Sequence, residues 1–289
     1  MITVIMPTRN NYQEVQNTLD SLFEHSPDVR VIIVNDYSEQ WQEPRADERL
    51  TVLHNTPPEY GIVMSLNKAV RAAGTEKLFF CNARCRFTDG WDKVMEEALD
   101  KDPLKIYSCV SARLSEDQTD VTRAPRYYGA VCQRHDPKWH YKWFAYYGIT
   151  NKKNIHEANT YLGGVGFTRA WWKHLRGVDG LLFRGMVNPF FSLKSWLAGG
   201  KVEVLQDCVV GNIYRKHTSY PVPMYAWVYN PVYMAYVFWG NQRGTEVMET
   251  FRAHRQYRYV KHLIVNKLGE ISRYRRYLKL IEVEQLKLK

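Results

Sequence analysis

The sequence predicts an α/β fold built on a parallel sheet. Over the first 110 residues, short apolar runs typical of buried strands alternate with segments whose apolar residues recur at helical spacing. Alternating strands and helices generate parallel sheets that are covered by helices. Ligands of such sheets bind at the carboxyl ends of the strands, so the residues that follow each strand are the first candidates for a site.

The predicted elements follow one another closely up to residue 110. The strands are residues 2–6, 29–34, 50–55, 76–81 and 104–110, and the helices are residues 11–26, 61–74 and 90–102. In the first helix Val15, Leu19 and Leu22 share one face. No Gly-x-Gly-x-x-Gly motif follows the first strand, so a dinucleotide-binding fold is not indicated.

The second half of the chain is less regular. Residues 111–160 lose periodicity and mix charged with aromatic side chains, which is typical of a long functional segment. A glycine-paired turn and a helix start are predicted over 160–175, a helix ended by two glycines over 188–200, and a strand over 201–216. From about residue 230 the sequence is helical, aromatic and basic.

The charge of the chain favours an anionic partner. The 289 residues carry a formal net charge of +10, which suits nucleic acid, anionic lipid or a phosphorylated substrate. Much of the excess lies in residues 252–289, where eleven lysines and arginines face three glutamates. With 45% apolar residues, the chain has ample material for a core.

Cysteine usage and hydropathy bear on the expected compartment. The five cysteines are odd in number and form no Cys-x-x-Cys pair, so neither a disulfide framework nor a structural zinc site is expected. No apolar stretch approaches the ~18 residues of a membrane span, and no signal segment precedes the first strand. We therefore expect a cytoplasmic protein, in the host cytoplasm if it is viral.

Several motifs resemble those of GT-A glycosyltransferases. The stretch ITVIMPTRNNYQEVQNTLDSL, followed by VRVIIVNDYSE, resembles the strand–turn–helix–strand start of that family. Gly163-Gly164, residues 185–188, the helix ending at Gly199-Gly200 and VGNIYRK (210–216) resemble its polypeptide N-acetylgalactosaminyltransferase branch. The resemblance covers residues 2–240. It implies a mixed central sheet flanked by helices, with residues 1–110 binding a nucleotide sugar, 111–240 binding the acceptor, and 241–289 added as a basic helical extension.

The resemblance also implies a donor site, with a nucleotide sugar, expected to be a UDP-sugar, as the partner. The Arg9 guanidinium can stack on a pyrimidine, and the Asp36 carboxylate can accept a hydrogen bond from a ring N–H. The alternative is that the turn at 7–9 is ordinary and that Asp36 caps a helix. The predicted donor-binding residues are Pro7, Thr8, Arg9, Asp36, Asn82, Arg84, Gly163, Gly164, Arg215, Lys216 and His217.

The metal-binding motif of the family is lost here. Its Asp-x-His falls on Asn82-Ala83-Arg84, and the histidine of its Val-Gly-His falls on Asn212. Arginine cannot coordinate a metal, and neutral amides are weak ligands without carboxylates. We therefore expect a transferase that needs no metal cofactor, in which Arg84 neutralises the leaving diphosphate. The alternative is an inactive, transferase-like binding module.

The general base is the open part of the predicted mechanism. Where the family motif has an acidic residue, this chain has Val187, whereas Asn188 matches the asparagine that follows that acid in the motif. The predicted catalytic residues are Arg84, Asp89, Asn188 and Asn212. Other candidate bases are Asp179, Asp207, His156 and Glu157. A retaining reaction, in which the leaving phosphate serves as base, needs no protein carboxylate and is favoured.

Two segments combine basic and aromatic residues in a way that suits an acceptor surface. Residues 111–160 and 240–289 have the composition expected of a surface that follows phosphates and stacks bases. The first choice of acceptor is a hydroxymethylated pyrimidine in DNA, as for certain viral enzymes. The alternatives are a peripheral membrane enzyme of surface or lipid-linked glycan synthesis, or a packed helix with a solvated basic face. The predicted acceptor-binding residues are Arg126, Lys138, Trp139, Lys142, Trp143, Arg255, Arg258, Arg273 and Arg276.

Overall fold

The computed structural model shows an α/β protein in which helices cover both faces of one sheet. It describes residues 1–116, 119–132, 141–145, 155–156, 164–214 and 221–278. The strands are β1 (Ile2–Thr8), β2 (Arg30–Asp36), β3 (Leu50–Asn55), β4 (Lys77–Phe80), β5 (Cys85–Arg86), β6 (Lys105–Leu114), β7 (Arg126–Cys132), β8 (Tyr141–Ala145), β9 (Ile155–His156), β10 (Val165–Thr168) and β11 (Lys201–Ile213). The helices are α1 (Tyr12–His25), α2 (Ile62–Ala72), α3 (Trp91–Lys101), α4 (Arg169–His174), α5 (Val187–Leu197), α6 (Met224–Thr250) and α7 (Tyr257–Leu278).

The sheet is mixed, as the resemblance implied. Its strand order is β3-β2-β1-β4-β10-β6-β11-β5, with β7 and β8 extending from β6 and β9 pairing with β11. Strands β3, β2, β1 and β4 are parallel, and so are β6 and β11. Strand β10 runs antiparallel between β4 and β6, so β4, β6 and β11 still point the same way.

Strand β10 corrects the predicted glycine turn over residues 160–175, for the part that is described. Val165 to Thr168 form a fully buried strand, and α4 starts directly after it. The Thr168 hydroxyl accepts a hydrogen bond from Trp171 N at 3.1 Å, which satisfies one free donor at the helix start. Gly166 is needed for packing, because a Cβ at this position would overlap the Met95 side chain of α3.

The core contains two large apolar layers, one on each face of the sheet, and a smaller apolar cluster around β6 and β11. Along β2, Val31 and Ile33 point to the layer formed with α1 and α3. Ile32 and Val34 point to the layer formed with α2, α4, α5, α6 and α7. This alternation follows from the two-residue period of a strand. It explains why the continuous apolar run at 29–34 predicts a strand that is buried on both faces.

The C-terminal extension joins the second of these layers. The predicted boundary at residue 240 coincides with a break in α6, where Gly240 has φ 82°. Beyond it, Val260, Ile264 and Ile271 of α7 are buried in the same cluster as the helices of residues 1–240. The apolar stripe of α7 therefore packs inward, as in the packed-helix alternative.

None of the helices that the structure describes is both long enough and apolar enough to cross a membrane.

Candidate functional site

The parallel strands bring their carboxyl ends to one edge of the sheet. Thr8, at the end of β1, pairs in register with Asn35 of β2. Phe80, at the end of β4, pairs with Ile5 of β1, so the residues that follow β4 lie beside the end of β1. Strand β11 is parallel to β6 and places Asn212 opposite Arg113 at the same edge. This edge holds the residues that the sequence predicted for the site.

The turns after β1 and β2 are tied to each other. Asn10 N donates to Ser38 Oγ at 2.9 Å, and Glu39 N donates to Asn10 Oδ1 at 3.0 Å. Asn10 and Tyr37 both have left-handed backbone angles, with φ of 56° and 57°. Such residues are uncommon outside glycine and cluster at functional sites, where the surroundings hold them in place.

Arg9 lies between two tyrosine rings at this edge. Its guanidinium carbon is 5.7 Å from the centre of the Tyr37 ring and 5.4 Å from that of the Tyr60 ring. These distances are within the range of cation–π attraction, so the side chain is held at the mouth of the strand edge. Beside it, the buried Thr8 hydroxyl has no hydrogen-bond partner among the described residues and is available to a ligand.

Asp36 fastens the start of α2. Its Oδ1 accepts from Gly61 N at 2.7 Å, Asn55 Nδ2 at 2.9 Å and Ser65 Oγ at 3.2 Å. The carboxylate therefore has the structural role that the helix-cap alternative anticipated. All of these bonds use Oδ1, so within the described ranges Oδ2 remains open to a base or ribose donor.

The structure brings Asn82, Arg84 and Asn212 together. The two-residue strand β5 pairs antiparallel with β11 and sets Cys85 opposite Asn212. Asn82 Nδ2 donates to Asn212 Oδ1 at 3.3 Å, and Ile213 N donates to the Arg84 carbonyl oxygen at 3.0 Å. Three positions that are up to 130 residues apart in sequence thus form one cluster.

The chemistry of this cluster does not fit a divalent metal ion. Asn82 and Asn212 carry neutral amides that bond to each other, and Arg84 carries a guanidinium. None of these three side chains is a carboxylate, imidazole or thiolate ligand. In the part of the chain that the structure describes, no group of three or more His, Cys, Asp or Glu side chains could hold a metal ion.

Asp89, which the sequence placed in the predicted catalytic set, lies apart from the cluster. After β5 the chain follows α1 towards its last turn, because Cys85 N bonds to Thr18 Oγ1 and Phe87 N bonds to Ser21 Oγ. Asp89 ends beside His25, with 2.6 Å between Oδ1 and Nδ1. Thr18 and His25 are seven residues apart, which is about 10 Å along a helix.

Asp89 instead borders an open groove of about 690 Å³. The groove is lined by the second half of α1, by residues 86–89 and by residues 119–122.

Two of the other candidate bases lie away from the cluster, and the other two fall wholly or partly outside the described residues. Asp179 sits in a turn, where it pairs with Arg176 and accepts from Asn67 Nδ2 at 3.0 Å. Asp207 is exposed on β11, five residues before Asn212, which is about 17 Å in an extended strand. The side chain of His156 and the whole of Glu157 fall outside the described residues.

Asn188 lies in the first turn of α5, behind a loop with unusual backbone angles. Phe183 and Met186 have φ of 48° and 62°. The loop is clamped by the fully buried Asn230 of α6, which accepts from Leu182 N at 2.9 Å. Its Nδ2 donates to the carbonyl oxygens of residues 182, 184 and 185 at 2.9–3.2 Å. Sequence reasoning missed Asn230; the available signal was a polar residue before a proline inside an apolar helix.

The structure describes only some of the remaining predicted residues. The Gly164 carbonyl accepts from Cys109 N at 2.9 Å, at the start of β10. Arg126 begins β7, opposite Ala112 of β6. Lys142 and Trp143 belong to β8, whose side chains are not described. The predicted residues that lie outside the described ranges are Lys138, Trp139, Gly163, Arg215, Lys216 and His217.

The predicted residues of the extension are on its solvent face. Arg255, Arg258, Arg273 and Arg276 are exposed. No carboxylate within residues 1–278, as far as these are described, lies within ion-pairing distance of any of the four. Together they form a cationic surface along α7 and the turn before it.

Comparison with known proteins agrees with this architecture. The sequence profile of Glycosyl transferase family 2 matches residues 3–174. A putative polypeptide N-acetylgalactosaminyltransferase 13 of Drosophila melanogaster is 25% identical over 181 residues, which are 60% of this chain and 31% of that protein. Polypeptide N-acetylgalactosaminyltransferase 5 of Caenorhabditis elegans is 21% identical over 221 residues, covering 70% of this chain and 35% of that protein. The chain thus spans about a third of the length of these relatives.

A solved structure shares the fold. The crystal structure of GalNAc-T7 with UDP, GalNAc and Mn²⁺ superposes with a TM-score of 0.75 at 16% identity. The match covers 98% of this chain and 56% of the other. The mixed sheet with its flanking helices is therefore a GT-A glycosyltransferase fold.

Proposed function

The chain belongs to glycosyl transferase family 2, and we propose that it transfers a sugar from a UDP-sugar to a hydroxyl group of an anionic acceptor. The observation that carries the proposal is the meeting of Arg9, Asp36 and the cluster of Asn82, Arg84 and Asn212 at one strand edge. Base-recognising and diphosphate-binding groups are needed side by side in such an enzyme. Among the described residues, Asp36 Oδ2 and Thr8 Oγ1 are two polar atoms at this edge with no hydrogen-bond partner.

The reaction is proposed to proceed without a metal ion. As the bond from the sugar to the diphosphate breaks, negative charge builds up on the leaving UDP. Arg84 belongs to the cluster at this edge, and a guanidinium can stabilise such charge through paired N–H donors. Asn82 and Asn212 hold the segment that carries Arg84 against β11. Arginine thus replaces the metal in stabilising the transition state.

The reaction is also proposed to retain the configuration of the sugar. Three candidate carboxylates that the structure describes lie apart from the cluster: Asp89 is bound to His25, Asp179 is bound to Arg176 and Asn67, and Asp207 is exposed on β11. In a retaining transfer on the same face, an oxygen of the leaving phosphate takes the proton of the acceptor hydroxyl. The atoms then balance without a protein base: the acceptor oxygen gains the sugar and the phosphate gains the proton.

DNA that carries a hydroxymethylated pyrimidine is the proposed acceptor. The support is the set of four exposed arginines on α7 and the turn before it, whose charges face solvent without a described acidic partner. Such a surface suits the phosphates of nucleic acid. The membrane-surface alternative depended on an apolar stripe of α7, and that stripe packs into the core. A retained binding module is the remaining alternative and is decided by assay.

The test uses Arg84→Ala and the matched variant Arg86→Ala. Both arginines flank Cys85, but Arg86 faces α1 and lies near Glu14. Transfer is followed by mass spectrometry with a panel of UDP-sugars and DNA containing hydroxymethylated bases, with and without EDTA. We expect Arg84→Ala to lower kcat about 100- to 1,000-fold, with activity of the wild type unchanged by EDTA and Arg86→Ala close to wild type.

Two results would overturn the proposal in separable ways. Stimulation of the wild type many-fold by Mn²⁺ would reject the metal-free reaction but keep the transferase. Failure of every UDP-sugar to be transferred or hydrolysed, in protein that is folded, would leave the chain as a binding module.

A further inference from the structure

A row of aromatic side chains leads from the donor edge to the C-terminal helix. The ring centres of Tyr60 and Phe183 are 5.1 Å apart, those of Phe183 and Tyr225 are 5.8 Å apart, and those of Tyr225 and Tyr259 are 5.3 Å apart. We call these four residues the aromatic track. Its inner end touches Arg9, since the Arg9 guanidinium stands over Tyr60.

The track is assembled from four distant parts of the sequence and is firmly supported. Tyr60 precedes α2, Phe183 precedes α5, Tyr225 is in the first turn of α6 and Tyr259 is in α7. The Phe183 carbonyl accepts from Val63 N at 3.2 Å, and Asn230 holds the rest of that loop. The rings are therefore fixed in place before any ligand arrives, which lowers the entropic cost of binding.

Much of this surface is open to solvent. Tyr259 is 49% exposed, and nearby Trp227 and Met224 are 45% and 44% exposed. Trp227 lies over Gly185, next to the Phe183 loop, and would be 3.3 Å from a Cβ there. Large apolar side chains that stay exposed next to one another mark interaction surfaces more often than isolated ones do.

The charge around the outer end is positive. Arg258 directly precedes Tyr259 in α7, and Arg255 lies in the turn before that helix. Both arginines are exposed and belong to the set without a described acidic partner. Aromatic rings between exposed arginines are the combination that binds single-stranded nucleic acid, where rings stack on bases and cations follow phosphates.

We propose that the aromatic track binds the acceptor strand of DNA by stacking on its bases, with Tyr259 as the outermost platform. The proposal rests on the proposed function, because it takes nucleic acid as the acceptor. Bases must leave a duplex to stack on side chains, so the track would bind single-stranded or locally opened DNA in preference to intact duplex. The strand would then run from α7 past the Phe183 loop to the donor edge.

The experiment compares Tyr259→Ser with Tyr277→Ser. Both tyrosines are on α7 and are about half exposed, but Tyr277 lies beside His174, away from the track. Binding of a fluorescent 12-nucleotide oligothymidine is measured by anisotropy at several salt concentrations, with thermal melts to verify folding. We expect Tyr259→Ser to weaken binding about 5- to 100-fold and Tyr277→Ser to have no effect.

The dependence on salt separates stacking from a general loss of structure. Tyr259→Ser removes no phosphate contact, so the slope of affinity against salt should equal that of the wild type. In Arg258→Ser the slope should instead decrease by about one unit.

Three other outcomes would each reject a different part of the proposal. Equal and undiminished binding by both tyrosine variants would overturn the track while leaving the proposed function standing. Wild-type protein that transfers sugar to a saccharide or lipid acceptor, and does not bind the oligonucleotide, would reject nucleic acid as the occupant. A duplex bound more tightly than the single strand would reject base stacking.

Discussion

Replacing Lys194 with methionine is expected to remove a pH dependence from the stability of the fold. Lys194 is fully buried in α5, with its ammonium against the Phe190 ring at 4.2 Å. Its Nζ donates to the Leu175 carbonyl at 3.0 Å, to Tyr274 OH at 2.7 Å and to the Gly177 carbonyl. Burial holds the pKa of Lys194 well below its usual value of 10.5, partly offset by Asp179.

The sign of the effect follows from proton linkage. Between the lowered pKa and 10.5 the unfolded chain binds a proton that the folded protein does not, so stability rises with pH in that window. The slope approaches about 1.4 kcal/mol per pH unit for one such group. Below the lowered pKa the full cost of burying the charge is present, and above 10.5 the cost is gone. Methionine has a similar length and no charge, so the variant lacks this slope.

The assay is urea unfolding of both proteins between pH 7 and pH 10. The quantity of interest is the difference in unfolding free energy, because the buried tyrosines whose pKa values are raised titrate in both proteins and cancel. The unfolding free energy of the wild type should increase steadily, relative to that of Lys194→Met, as the pH rises. Parallel curves across this range would show that the ammonium is not desolvated as the structure indicates.

Two further predictions concern the loop before α5. Asn230→Asp keeps the size of the side chain but loses the donors to three carbonyl oxygens, so it should lower the unfolding free energy by about 2–4 kcal/mol; urea unfolding against the exposed-site control Asn241→Asp tests this, and equal stability of the two variants would contradict it. Gly61→Ala should cost about 1–3 kcal/mol because φ is +105° and the new Cβ would be 2.7 Å from Phe183 Cα. Gly74→Ala meets no atom within 4 Å and is its control, so similar melting temperatures for the two would refute the crowding argument.

Most elements of the first 110 residues were predictable because each carries its own pattern, and the two-residue strand β5 was the exception. Strands such as β1 and β2 are continuous apolar runs, and α1 and α3 have one apolar face, so local sequence alone identifies them. Strand β10 was missed since the glycine pair directly before it was interpreted as a turn. Gly166 is needed for close packing on Met95, a contact between parts of the chain that local patterns do not encode.

Site residues that belong to a recognisable motif could be predicted from the sequence. Residues whose position depends on the path of the chain in the fold could not. The resemblance to the family's metal-binding motif implied positions 82, 84 and 212, and the pairing of β5 with β11 joins them. The position of Asp89 could not be predicted from a motif, because the hydrogen bonds of residues 85 and 87 to α1 carry the chain away from the edge. Tyr225, Tyr259 and Asn230 were missed since their partners lie 34 to 48 residues away.

The charge balance of the cluster limits what Arg84 can do alone. A divalent ion supplies two positive charges between the phosphates, whereas one guanidinium supplies one, though with directed donors. A metal-free reaction at this edge therefore needs at least a second cation near the leaving group. Arg9 is fixed between Tyr37 and Tyr60 towards the base end. The sequence directly after β11 supplies Arg215, Lys216 and His217, two to four residues beyond the strand end beside Arg84. We therefore expect a shared mechanism in which Arg84 acts together with a second cation, and the predicted candidates for that cation are Arg215, Lys216 and His217.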